Sequence, residues 1–182
     1  SKDIFNEEVD PANIDDVDKV LLWKTAYYTF MNPLQLGGIL AGAKEADLKR
    51  LEEYSLAAGR IFQITDDIIG VFGAESDTGK SPLDDIMEGK RTILTVKALE
   101  LAPKADAYFL EQMLGNHKLT QSEFSRCKEI ITASGALDYS REQAQASAID
   151  AFAALDAIHE HWEGPQAEFV SNLVHYMLQR KS

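Results

Sequence analysis

The stretch ADLKRLEEYSLAAGRIFQITDDIIGV, residues 46–71, decides the fold class. Leu48, Leu51, Leu56, Ile61, Phe62 and Ile64 are spaced so that they gather largely on one side of a helix. Gly70 and the Gly73 that follows weaken the helix and end it. Near its end, Gln63 stands three residues before Asp66 and four before Asp67, so the amide and the carboxylates share a face. Adjacent anions on a mostly apolar helix repel one another, and they are disfavoured there unless water or a cation meets them.

Helical signals continue in both directions. Upstream, Asn13 can cap a helix whose first turn carries Asp15, Asp16 and Asp18, suited to the positive end of the dipole. It is expected to run through Lys24 and, kinked at Pro33, to about Gly42. Part of it, TAYYTFMNPLQLGGILAGA at residues 25–43, is uncharged and long enough to raise the question of a membrane span. Asn32, Pro33, Gln35, Gly37 and Gly38 make it too polar and helix-weak for that. The expectation is a buried core helix and no stable membrane insertion.

Downstream, residues 73–89 hold the breakers and read as a loop with one short helical turn. Residues 92–101 resume the helix. Thr120-Gln-Ser-Glu123 fits a capping box, opening a helix that stops near Gly135. Residues 136–159 form an alanine-rich helix suited to close packing. Gly164 and Pro165 break the chain, and Pro165 begins a last helix with Phe169, Leu173, Tyr176 and Met177. No strand alternation of convincing length appears. The class is all-α, and 182 residues suit one domain.

Composition narrows the function. The net charge of −12 argues against nucleic acid and against an anionic membrane surface as partner. The single cysteine, Cys127, excludes an internal disulfide and fits a reducing, cytoplasmic compartment. Its expected role is small apolar packing.

The segment after the long helix, TGKSPLDDIMEGKRT, adds Asp84 and Asp85 and two lysines that each follow a glycine, Lys80 and Lys90. Magnesium suits the Asp66 and Asp67 carboxylates, because it takes one or two such ligands, several waters and substrate phosphates. Ammonium groups only donate, so Lys80 and Lys90 cannot join the metal; their natural partner is the same phosphate. Carboxylates hold metal, and metal and lysines hold diphosphate. TGKS at residues 78–81 imitates a nucleotide-binding phosphate loop. The glycine such a loop needs at position 74 is Ala74, and a helix rather than a strand precedes it.

The combination FQITDDIIG, TGKSPLDDIMEGKRT and the upstream KTAYYTF with LGGILAG resembles the trans-isoprenyl diphosphate synthases, the polyprenyl synthetase family. The resemblance covers the whole chain, but only the C-terminal half of a usual family member. It implies the C-terminal half of an isoprenoid-synthase-type helical bundle, usually a homodimer. The implied activity condenses isopentenyl diphosphate with an allylic prenyl diphosphate into a longer all-trans product, with Mg2+ as cofactor and with the lost proton passing to the departing pyrophosphate.

Carried onto matching positions, the resemblance implies that Lys24 contacts a substrate diphosphate. Thr25 and Gln63 would line the reacting carbon, and Phe62 would flank the hydrocarbon. Asp66 and Asp67 would bind magnesium, and Lys80 and Lys90 the allylic diphosphate. Asp85 aligns with the aspartate of the family's later D-I-x-x-G-K element.

Two departures stand out. The family's second aspartate-rich motif usually ends in a third Asp, and that position is Gly70. Its first aspartate-rich motif has no counterpart, since IDDVD at residues 14–18 lies just before KT, in the wrong order. The expectation is a fragment of a longer enzyme, with little activity alone; the alternative is a non-catalytic partner subunit.

Overall fold

The computed structural model describes residues 13–79, 81–159, 162 and 164–180, and among these every regular element is a helix. The all-α class therefore holds. A first rod begins as α1 (Ile14–Leu21), widens into a π-helical segment (Leu22–Met31) and returns to α geometry as α2 (Asn32–Leu40). The Asn13 side chain caps it, accepting from the Asp15 N–H at 2.9 Å. After a turn comes α3 (Glu45–Phe72), the longest helix. Two single-turn helices follow, α4 (Glu75–Thr78) and α5 (Asp84–Met87), then α6 (Ile93–Leu101), α7 (Lys104–Met113), α8 (Gln121–Ala133), α9 (Ala136–His159) and α10 (Pro165–Gln179).

Helix α3 runs through the centre, packed chiefly against α9 on one flank and the π segment on the other. Small residues make both contacts close. On α9, Ala144, Ala148, Ala151 and Ala154 are buried, spaced three and four apart on one face. On the other flank the α-carbon of Gly59 lies so close to Ala26 that a β-carbon there would overlap the Ala26 backbone and methyl. Around α3 the core falls into three patches. Phe30, Tyr54, Ile61, Leu155, Val174 and Met177 fill the middle. Val17, Leu21, Ile64, Ile93 and Val96 fill the side toward α1 and α6. Val71, Ile86, Leu94, Leu110, Phe124 and Ile131 fill the far end, where Cys127 is wholly buried as small apolar packing. The Tyr54 hydroxyl, itself buried, donates to the Val170 carbonyl at 2.9 Å and ties α10 to α3.

Several expectations need correction. Residues 25–43 are not a buried core helix. Thr25, Ala26, Phe30 and Gly38 are buried, whereas Tyr28, Leu36, Ile39 and Leu40 are exposed, because the rod packs on α3 along one side only. Among the described residues no helix is long and apolar enough to cross a membrane. The irregularity expected at Pro33 takes the form of a π register ahead of it: the Asn32 N–H bonds the Tyr27 carbonyl, five residues back. The loop at residues 73–89 contains two helical turns rather than one, and α7 was not foreseen. The starts at Thr92, Thr120 and Pro165 fall where expected.

Candidate functional site

The late part of α3 carries the site, and its neighbours fix each side chain. Thr25 is buried on the π segment and donates its hydroxyl to the Gln63 Oε1 at 2.6 Å. That contact leaves the Gln63 amide NH2 free to donate to Asp67 Oδ1, one helical turn on, at 3.0 Å. The result is a polar relay from the first rod to a carboxylate that is only 5% exposed. Burial pushes the Asp67 carboxyl up to about 7; the Gln63 hydrogen bond and the Lys90 charge pull it down, and the charges of Asp66 and Asp85 push it further up. A buried carboxylate beside like charges is costly to ionise, and a cation placed there would relieve that cost.

Lys90 faces this group from the loop and is held by its backbone. The Lys90 N–H donates to the Asp85 carbonyl at 3.0 Å, and the Thr95 hydroxyl donates to the Lys90 carbonyl at 2.9 Å. Gly89 before it adopts a left-handed φ of 69° and packs against the Gly115 backbone, a place that suits a residue without a side chain. The Lys90 ammonium donates to Asp85 Oδ1 at 2.9 Å. Burial pulls its pKa down, but the Asp85 hydrogen bond and the charges of Asp85, Asp67 and Asp66 outweigh that and hold it above the ordinary lysine range.

Asp66 lies on the more open side of α3, its side chain 48% exposed. Its partner is Arg180, a residue the sequence reading missed. Arg180 follows the end of α10, and its side chain is 10% exposed. It reaches Asp66 Oδ1 at 3.4 Å, donates to the Phe62 carbonyl at 3.0 Å and stacks on the Phe62 ring at 4.3 Å. No sequence signal marks this arginine, since the chain separates it from Phe62 by 118 positions. Phe62 also meets Phe30 edge-on at 5.9 Å. Beyond Arg180, a cavity of about 300 Å3 is lined by Thr65, Ile68, Arg141, Gln145 and Leu178 among others.

The structure thus brings together Thr25, Phe62, Gln63, Asp66, Asp67, Asp85 and Lys90. Lys24 sits next to Thr25 on the π segment with an exposed side chain, and it forms no ion pair with the described residues. Lys80 lies outside the described residues. Among the described residues no three His, Cys, Asp or Glu side chains are poised to hold one ion. Asp66 and Asp67 nevertheless fit magnesium, which is satisfied by one or two carboxylates with waters and phosphate oxygens. Helix α4 ends at Thr78, so a helix rather than a strand leads into Gly79, in line with the reading that TGKS is no nucleotide loop.

A sequence model of the polyprenyl synthetase family matches residues 1–131. The geranylgeranyl diphosphate synthase of Saccharolobus solfataricus is 43% identical over 96 residues, which is 53% of this chain and 29% of that protein. The octaprenyl diphosphate synthase of Escherichia coli is 30% identical over 179 residues, covering 92% of this chain and 53% of that protein. The geranylgeranyl pyrophosphate synthase of Corynebacterium glutamicum, crystallised with isoprenyl diphosphate and magnesium, superposes with a TM-score of 0.84. It is 31% identical, over 93% of this chain and 47% of that one. The chain thus spans about half the length, or less, of the relatives it matches. With a matching helical fold and a family match over most of its residues, the chain belongs to the polyprenyl synthetase family.

Proposed function

We propose that the protein is a magnesium-dependent trans-prenyltransferase, joining isopentenyl diphosphate to an allylic prenyl diphosphate and yielding a longer all-trans prenyl diphosphate. One observation carries this reading: a hydrogen-bonded relay of Thr25 and Gln63 ends on the buried Asp67, within electrostatic reach of Asp66 and of the Lys90 ammonium. Two neighbouring carboxylates can take a divalent ion, and an ammonium group opposite them can donate to a diphosphate bound with it. The geranylgeranyl and octaprenyl diphosphate synthases among its relatives support the same chemistry.

In this reading Asp66 and Asp67 would hold Mg2+. When bound, the ion supplies stabilisation of the negative charge that builds on the departing diphosphate. Lys90, joined by Lys80 and Lys24, donates to diphosphate oxygens. Thr25 and Gln63 line the carbon that gains cationic character. Phe62, already stacked on one cation, flanks the hydrocarbon. The surrounding helices keep water from the reactive carbon. The working form is a homodimer in the cytoplasm; the exposed Leu36, Ile39 and Leu40 of α2 offer apolar surface for such an assembly.

The test is turnover of isopentenyl diphosphate with allylic diphosphates by the protein expressed from its complete gene. Asp66→Ala and Asp67→Ala should each lower kcat by orders of magnitude, and unchanged rates would refute the roles given to them. A second reading, a partner subunit that keeps the fold without catalysing, draws on Gly70 at the position of the family's third aspartate. Wild-type protein that turns nothing over alone, yet raises the rate of an active relative, would favour it.

A further inference from the structure

The cavity of about 300 Å3 beside Arg180 has no part in the reaction proposed above, and its lining is chemically one-sided. Thr65 stands two residues before Asp67, about 200° round the helix, so the cavity opens on the flank of α3 turned away from Asp67. Arg141 and Gln145 enter it from α9, four residues apart and so on one face, and Arg180 enters from the end of α10. Guanidinium groups, an amide and a hydroxyl thus meet there. No carboxylate is among the described lining residues, although the chain carries a net charge of −12. Both arginines have donors to spare. Arg180, its side chain 10% exposed, makes its hydrogen bonds through Nη2, at 3.0 Å to the Phe62 carbonyl and 3.4 Å to Asp66. Its buried Nε has no hydrogen-bond partner among the described residues. Arg141 has one long contact, at 3.4 Å, with the exposed Asp138. A buried guanidinium so thinly met is costly, and an anion beside it would relieve that cost.

We propose that this cavity is a separate anion site that takes a small organic phosphate, its phosphate between Arg141 and Arg180 and its short hydrocarbon against Ile68 and Leu178. Guanidinium groups meet phosphate through paired N–H donors, and the Gln145 amide and Thr65 hydroxyl add neutral ones. A lining without a carboxylate disfavours a metal cation, which needs oxygen anions around it. The volume of about 300 Å3 admits a small ligand only. The proposal goes beyond the prenyltransferase reading and does not depend on it, because the ligand and its contacts lie off the proposed metal site. One group is common to both. Arg180 also reaches Asp66 at 3.4 Å, so an anion in the cavity competes with that carboxylate for a single guanidinium.

Calorimetry with butyl phosphate and inorganic phosphate, in chelator and on the protein expressed from its complete gene, tests this. Chelator removes the divalent ion that the Asp66 and Asp67 site would need, so binding read here belongs elsewhere. Butyl phosphate should bind about tenfold more tightly than inorganic phosphate, the gain from burying about two methylenes. Arg141→Gln and Gln145→Leu should each weaken butyl phosphate by about fivefold to tenfold. Both residues are exposed, so the melting temperature should stay near that of the wild type. Arg180→Met should remove the binding. Asp66→Asn releases Arg180 and should tighten it, whereas Lys90→Ala should leave it unchanged. Wild-type protein that binds no butyl phosphate, or binds it no better than inorganic phosphate, would overturn the proposal. Binding indifferent to both Arg141→Gln and Gln145→Leu would overturn it too, as would binding lost in Lys90→Ala, which would place the anion at the α3 site instead. Unchanged affinity in Asp66→Asn would overturn the competition for Arg180. None of these results bears on the prenyltransferase reading, which turnover tests separately.

Discussion

The contact between Gly59 and Ala26 sets the spacing of the two helices that build the site, and Gly59→Ala probes it. Two effects oppose each other. In an open helix, alanine is favoured over glycine by about 1 kcal/mol. Here the new methyl would overlap the Ala26 Cα and would lie 2.5 Å from its Cβ and 3.0 Å from its N. Ala26 is 0% exposed, and backbone atoms have no rotamer into which to retreat. Relief requires moving the π segment away from α3, which calls for the upper part of the overpacking range, about 3 kcal/mol. The clash wins by about 2 kcal/mol, which lowers the melting temperature of a chain this size by about 4–8 °C. Gly37→Ala is the matched control. It lies in α2 with nothing within 4 Å of the added carbon, so only propensity acts and the protein should gain up to about 1 kcal/mol. Thermal unfolding followed by far-ultraviolet circular dichroism reads both. Gly59→Ala melting at or above the wild-type temperature would refute the close-approach argument. Because Thr25 adjoins Ala26, the same separation should stretch the Thr25 bond to Gln63.

Other outcomes follow from the same geometry. In metal-free protein, the native Asp67 carboxyl keeps its proton to about pH 7, whereas the unfolded chain releases it near the ordinary value of 3.8. The native state therefore binds the extra proton, and the Asp67 contribution lowers stability as pH rises through that window, by at most about 4 kcal/mol. Asp67→Asn should flatten this slope in denaturant titrations made at several pH values in chelator; an unchanged slope would contradict it. Thr25→Val removes the hydroxyl that orients Gln63 and should cost about 1–2 kcal/mol in stability, checked by denaturant unfolding. Arg180→Met takes the cation from the Phe62 ring and from Asp66 and should cost about 1 kcal/mol. A more stable Arg180→Met protein would mean that burying the guanidinium, whose Nε has no hydrogen-bond partner among the described residues, outweighs its contacts.

Where the sequence was readable, the physics was local. Helix α3 announced itself through apolar periodicity, and α8 and α10 through Thr120 and Pro165, whose preferences act within a turn or two. Helix α7 was overlooked because it buries one wholly enclosed residue, Leu110, and so shows little of an apolar face. The π register at Leu22–Met31 leaves no mark in a pattern read at the α period. At the site, Gln63 and Asp67 were legible as one face of one helix, and the structure joins them. The Arg180 contact with Asp66 and the close approach of the Asp85 carboxylate to Gly70 were not. Both depend on where α10 and α5 return in space, which no spacing rule reports. The exposure of Leu36, Ile39 and Leu40 was hidden for a related reason: an apolar run shows that it can be buried, not which side has a neighbour.

In the proposed site Asp66 and Asp67 hold the metal and Lys90 meets the diphosphate bound with it. Mn2+ in place of Mg2+ tests it directly, because free Mn2+ is read by electron paramagnetic resonance. In protein expressed from its complete gene, adding pyrophosphate should draw Mn2+ out of solution. Asp66→Asn with Asp67→Asn should abolish that uptake, and Lys90→Ala should weaken it. Uptake that survives loss of both carboxylates, or pyrophosphate binding equally tight without any divalent ion, would contradict the account.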